Sequence, residues 1–231
     1  MTNQNPKIVA VDGHAGSGKS TICRVAAGEL GWDYFSTGIL YRYTAALQLK
    51  CDLSTPADAA KRISEDGKWD YEQSFLTLGS YDLKSELYNE STTSMASKVA
   101  KDPLVRAHLL NLQRDIANQS KKGMIVDGRD IGTVVFPDAK LKIFLTASVE
   151  CRAMRRVGQV IGGEHSQKAL KAHPLFKEIY DGIVQRDERD SGRSLAPLVK
   201  ASDAVVIETS EMSKEDATKV FVNKIKQIFP L

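Results

Sequence analysis

The sequence predicts an α/β fold, a three-layer sandwich in which helices cover both faces of a central five-stranded parallel sheet. Short apolar runs rich in β-branched residues alternate with amphipathic helical segments along most of the chain. The first apolar run leads through a glycine-rich turn into a helix. This alternation favours a parallel sheet and places candidate site residues at the carboxyl ends of its strands.

The first strand and the turn that follows it form the most informative stretch of the chain. Residues 8–11, Ile-Val-Ala-Val, form a run short enough for a strand buried on both faces. It leads into G-H-A-G-S-G-K-S, which fits the pattern G-x-x-x-x-G-K-[ST] at every fixed position. A glycine-rich turn with an unrelated lysine is the alternative, but the order of strand, loop and helix disfavours it.

This pattern predicts a nucleoside triphosphate site for physical reasons. Glycines let the backbone curl until successive N–H groups point at a polyphosphate, and the helix N-terminus adds partial positive charge. We expect Lys19 to reach the β- and γ-phosphates and the Ser20 hydroxyl to bind Mg²⁺. The predicted ATP-binding residues here are Gly13, His14, Ala15, Gly16, Ser17, Gly18, Lys19, Ser20 and Thr21.

The elements of the first third of the chain follow in order. The first helix is expected to end at Gly31, and residues 32–36 predict a second buried strand. Thr37 is a candidate cap for the next helix. Thr55 and Pro56 supply an N-cap and a proline at the first helical position, which predicts a helix through about Asp66.

Residues 67–95 change in character, since aromatic, threonine and polar residues mix there. Two short alternating stretches flank a turn-like Gly79-Ser80, which predicts a small antiparallel excursion from the main fold. A long helix is expected from Ala96 to about Ser120, with a kink or break near Asp102 because Pro103 follows. Later strands are predicted over residues 124–127, 141–145 and 204–207. Later helices are predicted over residues 148–157 and 166–190 and after a capping box at 213–216.

Asp127 ends an apolar strand in the manner of a Walker-B acid, where it could hold Mg²⁺ or its waters. Gly128, Arg129 and Asp130 follow directly. A tight glycine turn with a surface ion pair is the alternative for these residues taken alone. The concentration of charged residues at the end of a strand favours a functional role.

Arginines concentrate between Cys151 and Arg193. Arg152, Arg155 and Arg156 are spaced to share one helix face, and Arg186, Arg189, Asp190 and Arg193 share another. A solvated helix with internal ion pairs is the ordinary explanation for such a pattern. Beside a triphosphate site, however, arginine forks match phosphate oxygens, which predicts a lid that closes over the phosphates and excludes water.

Composition narrows the functional classes. The formal net charge of +3 is too small to indicate nucleic-acid binding, and no apolar run approaches the ~20 residues that span a bilayer. The N-terminal MTNQNPK has no apolar segment of the signal-peptide kind. We therefore expect a cytoplasmic protein without nucleic-acid or membrane partners, and nothing in the sequence demands more than a monomer.

Several further stretches carry a family resemblance over nearly the whole chain. They are T-G-x-x-Y-R from Thr37, S-K-V-A-x-x-P-x-V-R from Ser97, D-G-R-D-x-G-T-V-V-F-P-D-A from Asp127, and R-D-x-R-D-x-x-R from Arg186. Together with the phosphate-loop pattern, they resemble the bacterial cytidylate kinases, the (d)CMP kinase branch of the nucleoside monophosphate kinases. The motifs that start at Asp127 and Arg186 are far more specific for this family than the phosphate loop alone.

The resemblance implies a role for each matching residue. Thr37, Arg42 and Arg129 would hold the acceptor's α-phosphate. Ser97, Arg106 and Asp130 would read the cytosine edge, while Tyr41, Arg186 and Asp190 would contact the sugar or its phosphate. Arg193 and the arginines near 152–156, including Arg152 and Arg156, would bind the donor phosphates. By the same resemblance, the catalytic residues are Lys19, Arg42, Arg129 and Arg193, and the metal ligands are Ser20 and Asp127.

The implied reaction is phosphoryl transfer from ATP, with Mg²⁺, to CMP or dCMP. The whole chain, 1–231, would be one kinase domain: a core of 1–66, 96–157 and 191–231, a monophosphate-binding insertion of about 67–95 and a lid of about 152–190. A kinase of UMP, AMP or another small metabolite is the nearest alternative, and a nucleotide-dependent switch is the alternative from another class.

Two positions depart from the family pattern. His14 stands where the family usually has proline, and Tyr88, within Leu87-Tyr88-Asn89, stands where the family has an arginine. Both positions are expected near ligand, so they bear on affinity or nucleotide preference rather than on the class of reaction.

Overall fold

The computed structural model describes residues 6–51, 53, 55–79 and 81–230 of the chain. Its strands are β1 (Lys7–Asp12), β2 (Asp33–Ser36), β3 (Gly67–Asp70), β4 (Phe75–Leu78), β5 (Gly123–Asp127), β6 (Leu141–Thr146) and β7 (Val205–Glu208). Five of the described strands form a central parallel sheet in the order β2-β5-β1-β6-β7, and β3 pairs with β4 in a separate antiparallel sheet. The predicted fold class is confirmed.

Helices follow most strands of the sheet. They are α1 (Lys19–Leu30), α2 (Gly38–Lys50), α3 (Pro56–Asp66), α4 (Glu90–Val99), α5 (Pro103–Asn118), α6 (Val149–Ile161), α7 (Gln167–Ala172), α8 (Leu175–Ser191) and α9 (Lys214–Ile228). A 3₁₀ turn spans Lys84–Glu86, and a π-helical turn spans Ile131–Val135. Within the described part of the chain, no helix combines the length and apolar content needed to cross a membrane.

The chain divides into two compact units. The first contains the described residues up to Ile8 and those of Ala27–Gly128. In it β2 and β5 pair in parallel, from Asp33 opposite Met124 to Ser36 opposite Asp127. Helix α2 packs against α3 and α4, and α3 packs against α5. The large side chains that are fully buried in this core include Phe35, Leu40, Tyr43, Leu47, Ile63 and Leu109.

The second unit contains Val9–Ala26 and Arg129–Leu231. In it β1 pairs with β6, and β6 pairs with β7, both in parallel. The middle of β1 is fully buried, as its unbroken β-branched run predicts for a strand covered on both faces. Helix α6 packs against α7 and α8, and α9 packs against β7. The part of the sheet that carries the phosphate loop is therefore held by apolar contacts.

Helix boundaries follow the signals in the sequence. Gly31 ends α1 with a φ of +64°, and the Thr55 hydroxyl accepts a hydrogen bond from the Asp58 backbone N–H at the start of α3. The helix expected from Ala96 to about Ser120 is two helices, because Asp102 adopts an extended conformation and caps α5 ahead of Pro103. The first of the two, α4, begins earlier than expected, at Glu90.

Two details of the predicted elements are wrong. The helix expected over residues 166–190 breaks at His173, which is extended (φ −69°, ψ 139°) because it precedes Pro174. Thr37 does not cap α2 with its side chain. Its Oγ1 instead donates to the backbone carbonyl of Asp127, 3.1 Å away, so the residue links the start of α2 to the end of β5.

The turn of the antiparallel hairpin also lies elsewhere than expected. It falls between β3 and β4, where the Asp70 carboxylate accepts hydrogen bonds from the backbone N–H groups of Glu72 and Gln73, both at 2.9 Å. Such a local side-chain bond closes a turn without glycine. A second turn lies at the predicted place: Gly79 has a φ of +53°, and Tyr81 pairs antiparallel with Leu78, its N–H donating to the Leu78 carbonyl at 3.0 Å. Ser80, the other half of the predicted turn, lies outside the described residues.

Candidate active site

The phosphate loop lies in the second unit, between β1 and α1. Gly13, Gly16 and Gly18 have φ angles of +147°, +76° and +89°, a region that side chains rarely adopt. A Cβ on Gly13 would lie 1.9 Å from the carbonyl oxygen of Leu145. These positions therefore require glycine, and the loop has the curled backbone that the sequence pattern predicts.

Lys19, the first residue of α1, lies back across this loop. Its side chain is buried, and Nζ donates to the backbone carbonyl of His14 at 2.8 Å. The Ser17 hydroxyl donates to the same carbonyl at 2.9 Å. Ser20 and Thr21 follow at the N-terminus of α1 and are exposed. The loop thus presents a helix N-terminus, a lysine and exposed hydroxyls, which is a suitable arrangement for binding phosphate oxygens.

His14 packs against β6. Its ring lies edge-on to Phe144, with 5.8 Å between the ring centroids. Burial lowers the pKa of His14, and the cations Arg152 and Lys19 lower it further while Asp187 opposes them. The ring is therefore neutral at pH 7. Its Nδ1 atom is buried and has no hydrogen-bond partner among the described residues.

Asp12, which the sequence analysis did not single out, joins the phosphate loop to the π-helical turn. Its carboxylate accepts hydrogen bonds from the backbone N–H groups of Ile131 and Gly132, both at 2.7 Å. Burial raises the pKa of Asp12 to about 6 even though these bonds lower it. The turn follows Arg129 and Asp130 directly, so Asp12 holds the backbone that positions these two residues.

Arg129 and Arg193 share one buried carboxylate. Arg129 Nε lies 3.0 Å from Asp190 Oδ2, and Arg193 Nη2 donates to Asp190 Oδ1. Asp190 is only 2% exposed; burial alone would raise its pKa, but Arg129 and Arg193 hold the pKa below its ordinary value, and Arg186 adds to their effect. The structure therefore brings four predicted site residues together, three cations around one carboxylate.

The three arginines of α6 have different surroundings, although their spacing put them on one face. Arg152 is buried and donates to the carbonyls of Ala15 (3.1 Å) and Ala147 (2.9 Å) and to Asp187 Oδ2 (2.6 Å). Arg155 donates to the carbonyl of Thr209 at 2.6 Å. Arg156 is exposed, and it donates to Gln159 on its own helix. Arg152 thus ties the phosphate loop to α6 and α8.

In the first unit, Asp127 ends β5 with both carboxylate oxygens hydrogen-bonded. Tyr34 donates its hydroxyl to Oδ2 at 2.6 Å, and Ser36 donates to Oδ1 at 2.8 Å. The backbone N–H and the hydroxyl of Thr37 both donate to the Asp127 carbonyl. These contacts fix the carboxylate of Asp127 and the start of α2 relative to each other.

Arg42 on α2 is oriented by the start of α4. Its Nη1 donates to the Leu87 carbonyl and to the Thr93 hydroxyl, both at 2.8 Å. Its guanidinium carbon also lies 5.0 Å from the centroid of the Tyr88 ring. The predicted phosphate-binding arginine of the first unit is therefore in contact with the position at which the sequence departs from the family pattern.

Tyr41 and Arg106 also meet in the first unit. The Arg106 guanidinium carbon lies 5.8 Å from the Tyr41 ring centroid, and its Nη1 donates to the Ala100 carbonyl at 3.2 Å. Ser97 lies on α4, and its hydroxyl oxygen is buried without a hydrogen-bond partner among the described residues. A buried hydroxyl of this kind is a suitable ligand-binding group, because leaving it unpaired is unfavourable.

The predicted site residues are divided between the units. The first unit carries Thr37, Tyr41, Arg42, Ser97, Arg106 and Asp127. The second carries the phosphate loop with Arg129, Asp130, Arg152, Arg156, Arg186, Asp190 and Arg193. Sequence reasoning missed Asp12 and Asp187. Asp12 had a usable signal, since it ends an apolar strand just before a glycine, as Asp127 does.

Comparisons with known proteins show the family of the chain. A family model described as cytidylate kinase matches residues 9–227. The cytidylate kinase of Thermotoga neapolitana is 38% identical over 221 residues, which cover 95% of this chain and 96% of that protein. The cytidylate kinase of Mycoplasmoides gallisepticum is 36% identical over 242 residues, covering 98% and 97% respectively.

Solved structures with low sequence identity share the fold. TT1252 from Thermus thermophilus has a TM-score of 0.52 at 11% identity, covering 99% of this chain and 100% of that chain. An uncharacterized protein from Eubacterium ventriosum has a TM-score of 0.52 at 15% identity, covering 95% and 98%. At these identities the likeness supports the fold alone.

The parallel sheet with a phosphate loop after its β1 strand defines a P-loop kinase. The positive φ angles of the glycines and the buried Lys19 explain why this loop can bind phosphate groups, which every kinase of this class must do. More particularly, the chain belongs to the cytidylate kinase family, since both the family model and the curated relatives match nearly all of it. It is a nucleoside monophosphate kinase.

Proposed function

We propose that the chain transfers the γ-phosphoryl group of ATP to CMP and dCMP in a Mg²⁺-dependent reaction, giving ADP and CDP or dCDP. The observation that carries this proposal is the arginine cluster around Asp190, which lies in the same unit as the phosphate loop. A reaction between two phosphate groups needs such fixed cations, because negative charge on both reactants must be neutralised. The named relatives supply the choice of CMP as acceptor.

On the donor side, the phosphate loop from Gly13 to Thr21 binds the triphosphate, with Lys19 at the β- and γ-phosphates. Arg152 supports this role, because it donates to the Ala15 carbonyl and so holds the loop. Arg156 is exposed on the same helix and offers a second cation to a bound nucleotide. Arg193 contributes charge stabilisation to the transferring phosphoryl group.

Ser20 and Asp127 are the proposed Mg²⁺ ligands. Ser20 is exposed at the start of α1, and Asp127 holds a carboxylate at the end of β5. Hydroxyl and carboxylate oxygens are hard donors of the kind that Mg²⁺ prefers, so these residues fit the ion. When bound, Mg²⁺ neutralises charge on the β- and γ-phosphate oxygens of ATP.

On the acceptor side, Thr37, Arg42 and Arg129 bind the α-phosphate of CMP. Tyr41, Arg186 and Asp190 contact its sugar or phosphate. Ser97, Arg106 and Asp130 read the base. The buried carboxylate of Asp130 supports this last role, since it can accept a hydrogen bond from the exocyclic amine of cytosine, which uracil lacks.

The chemical step is a direct in-line displacement. An α-phosphate oxygen of CMP forms a bond to the γ-phosphorus while the bond to the β–γ bridging oxygen breaks, and ADP leaves with the electron pair. Lys19, Arg129 and Arg193 stabilise the charge that develops on the transferring group, so no covalent enzyme intermediate is required.

We further propose a cytoplasmic monomer with one kinase domain. The antiparallel pair β3–β4 belongs to the insertion at about 67–95. Helices α6, α7 and α8 belong to the lid at about 152–190, and α6 and α8 carry its arginines. Closure of the lid would exclude water and protect the γ-phosphoryl group from hydrolysis.

The proposal is tested by measuring ADP production with ATP and Mg²⁺ against CMP, dCMP, UMP, AMP and water alone. We expect rapid turnover with CMP and dCMP, weak turnover with UMP and almost none with AMP or water. Faster turnover with UMP or AMP would contradict the role of Asp130. Equal ADP release with and without an acceptor would instead indicate a nucleotide-hydrolysing switch.

A further inference from the structure

Tyr88 is an exposed aromatic residue that is held in a defined place. Its relative exposure is 66%, yet its ring lies 5.0 Å from the Arg42 guanidinium carbon. An exposed large aromatic residue contributes little to the core, so the position of the Tyr88 ring over a cation needs a local explanation.

The segment that carries Tyr88 is fixed on both sides of this residue. Leu87 is fully buried. Asn89 caps α4 by accepting a hydrogen bond from the Thr92 backbone N–H at 2.8 Å, and its side-chain amide donates to Glu86 at 3.0 Å. The backbone of Tyr88 is therefore held between a core residue and a helix cap, which restricts where its ring can lie.

The same segment supplies the other contacts that orient Arg42. The Leu87 carbonyl and the Thr93 hydroxyl both accept from Nη1, while Tyr88 lies against the guanidinium group itself. The two acceptors hold Nη1 at one end of the guanidinium. The Tyr88 ring packs against the group itself, and attraction between the cation and the ring helps to fix the orientation of the guanidinium.

We propose that Tyr88 is a positioning residue for the acceptor phosphate, because its ring holds the Arg42 guanidinium in the orientation that binds CMP. This inference rests on the proposed function, in which Arg42 binds the α-phosphate. It assigns a role to an exposed aromatic side chain that the core does not need: the ring orients the neighbouring cation.

The chain provides a matched control. Tyr81 is also an exposed tyrosine of the first unit, and the Arg62 guanidinium carbon lies 5.9 Å from its ring centroid. Arg62 pairs with Asp66 on its own helix and belongs to no proposed binding site. Removing the Tyr81 ring therefore removes a similar contact without touching Arg42.

The test compares Tyr88→Ala, Tyr88→Phe and Tyr81→Ala with the wild type, measuring KM for CMP, KM for ATP, kcat and CMP binding by calorimetry. We expect Tyr88→Ala to raise both KM and Kd for CMP roughly two- to fivefold while KM for ATP stays unchanged. Tyr88→Phe keeps the ring and should restore the wild-type values, and Tyr81→Ala should match the wild type.

A double-mutant cycle then tests whether Tyr88 affects CMP binding through Arg42. In an Arg42→Ala background, Tyr88→Ala should cause no further rise in Kd for CMP, because the group that the ring orients is gone. An additional rise of the same size would overturn the proposal, as would a wild-type KM in Tyr88→Ala or an equal rise in Tyr81→Ala.

Different results would contradict the proposed function and the role of Tyr88. If the wild type neither binds nor phosphorylates CMP, the proposed function is wrong. If the wild type does both and Tyr88→Ala behaves in the same way, only the role of Tyr88 is wrong. Because Tyr88 is exposed, its replacement should not unfold the protein, and a thermal melt of each variant checks this.

Discussion

At the scale of single residues, buried carboxylates organise the proposed binding groups. Asp12 holds the turn that follows Arg129 and Asp130, and Asp190 holds Arg129 and Arg193. Each carboxylate is itself satisfied by hydrogen bonds or cations, which is the condition under which buried charge is tolerated. The cations are thus fixed before a substrate arrives, so less ordering remains to be done during the reaction.

Replacing Arg129 with alanine should leave the fold and ATP binding intact but lower kcat on the order of 10³-fold. The reason is that an arginine at a transferring phosphoryl group stabilises charge that appears in the transition state. Steady-state kinetics with CMP measures the loss of kcat, and calorimetric titration with ATP measures whether ATP binding is retained.

Arg24→Ala is the matched control for that variant. Arg24 is exposed on α1, belongs to the second unit and has no proposed binding role. The Arg24→Ala substitution removes the same charge from the same unit and should leave kcat close to the wild type. Turnover of Arg129→Ala within a few-fold of this control would show that Arg129 is not a phosphate ligand.

Asp12 should make stability depend on pH. Its folded-state pKa of about 6 lies above the ordinary 3.8, so the folded state favours the protonated carboxyl. The associated stability is fully present below pH 3.8 and is lost as pH rises through 6. Between pH 4 and pH 7 the free energy of unfolding should therefore fall by about 2 kcal/mol more in the wild type than in Asp12→Asn.

Denaturant unfolding at several pH values measures this difference. The comparison uses the slope of the free energy of unfolding with pH and not its absolute value. Each carboxylate oxygen of Asp12 accepts one backbone hydrogen bond, and asparagine keeps only one of these two oxygens, so Asp12→Asn also changes the absolute stability. Asp138→Asn removes a carboxylate that is exposed in the structure and controls for the change in net charge. Identical slopes for the wild type and Asp12→Asn would rule out a raised pKa.

At the scale of secondary-structure elements, Arg152 connects three parts of the second unit. It reaches the phosphate loop through Ala15, the segment after β6 through Ala147, and α8 through Asp187. The ion pair is almost fully buried, with the two side chains 3% and 16% exposed. A link of this kind holds the loop against the helices of the proposed lid.

Arg152→Met should lower the free energy of unfolding by about 3 kcal/mol, because the Asp187 charge would be left buried without its partner. It should also raise KM for ATP, since the Ala15 carbonyl loses its donor. Denaturant unfolding and kinetics test these effects. For stability, Arg156→Met is the control: Arg156 is exposed, so its loss should change stability by no more than about 0.5 kcal/mol.

Local signals in the sequence predicted the helix starts, breaks and loops whose conformation depends on one or two neighbouring residues. The phosphate loop, the Thr55–Pro56 helix start and the break before Pro103 all follow from the preferences of one or two residues. The hairpin turn was misplaced because Asp70 closes it with a side chain, whereas Gly79 gave the stronger glycine signal. Asp12 had a usable local signal at the end of its strand, but its partners Ile131 and Gly132 lie far along the chain, and no local pattern reveals them.

At the scale of the whole molecule, the alternation of strands and helices sufficed to predict the parallel sheet. It could not show that Arg152, Arg155 and Arg156 would differ so much in their surroundings. Helical spacing gives the face of a residue but not which neighbours bury it, and Arg152 is buried only because Ala15, Ala147 and Asp187 accept its hydrogen bonds. The family motifs identified the candidate residues, and the structure supplied their contacts.

The central claim is that the γ-phosphoryl group of ATP is transferred directly to CMP. The most direct measurement is to quantify ADP and CDP together, by anion-exchange chromatography of one reaction containing the protein, ATP, Mg²⁺ and CMP. The account predicts that the two products form in equal amounts from the earliest time points, with no free phosphate. ADP accompanied by free phosphate and no CDP would contradict it.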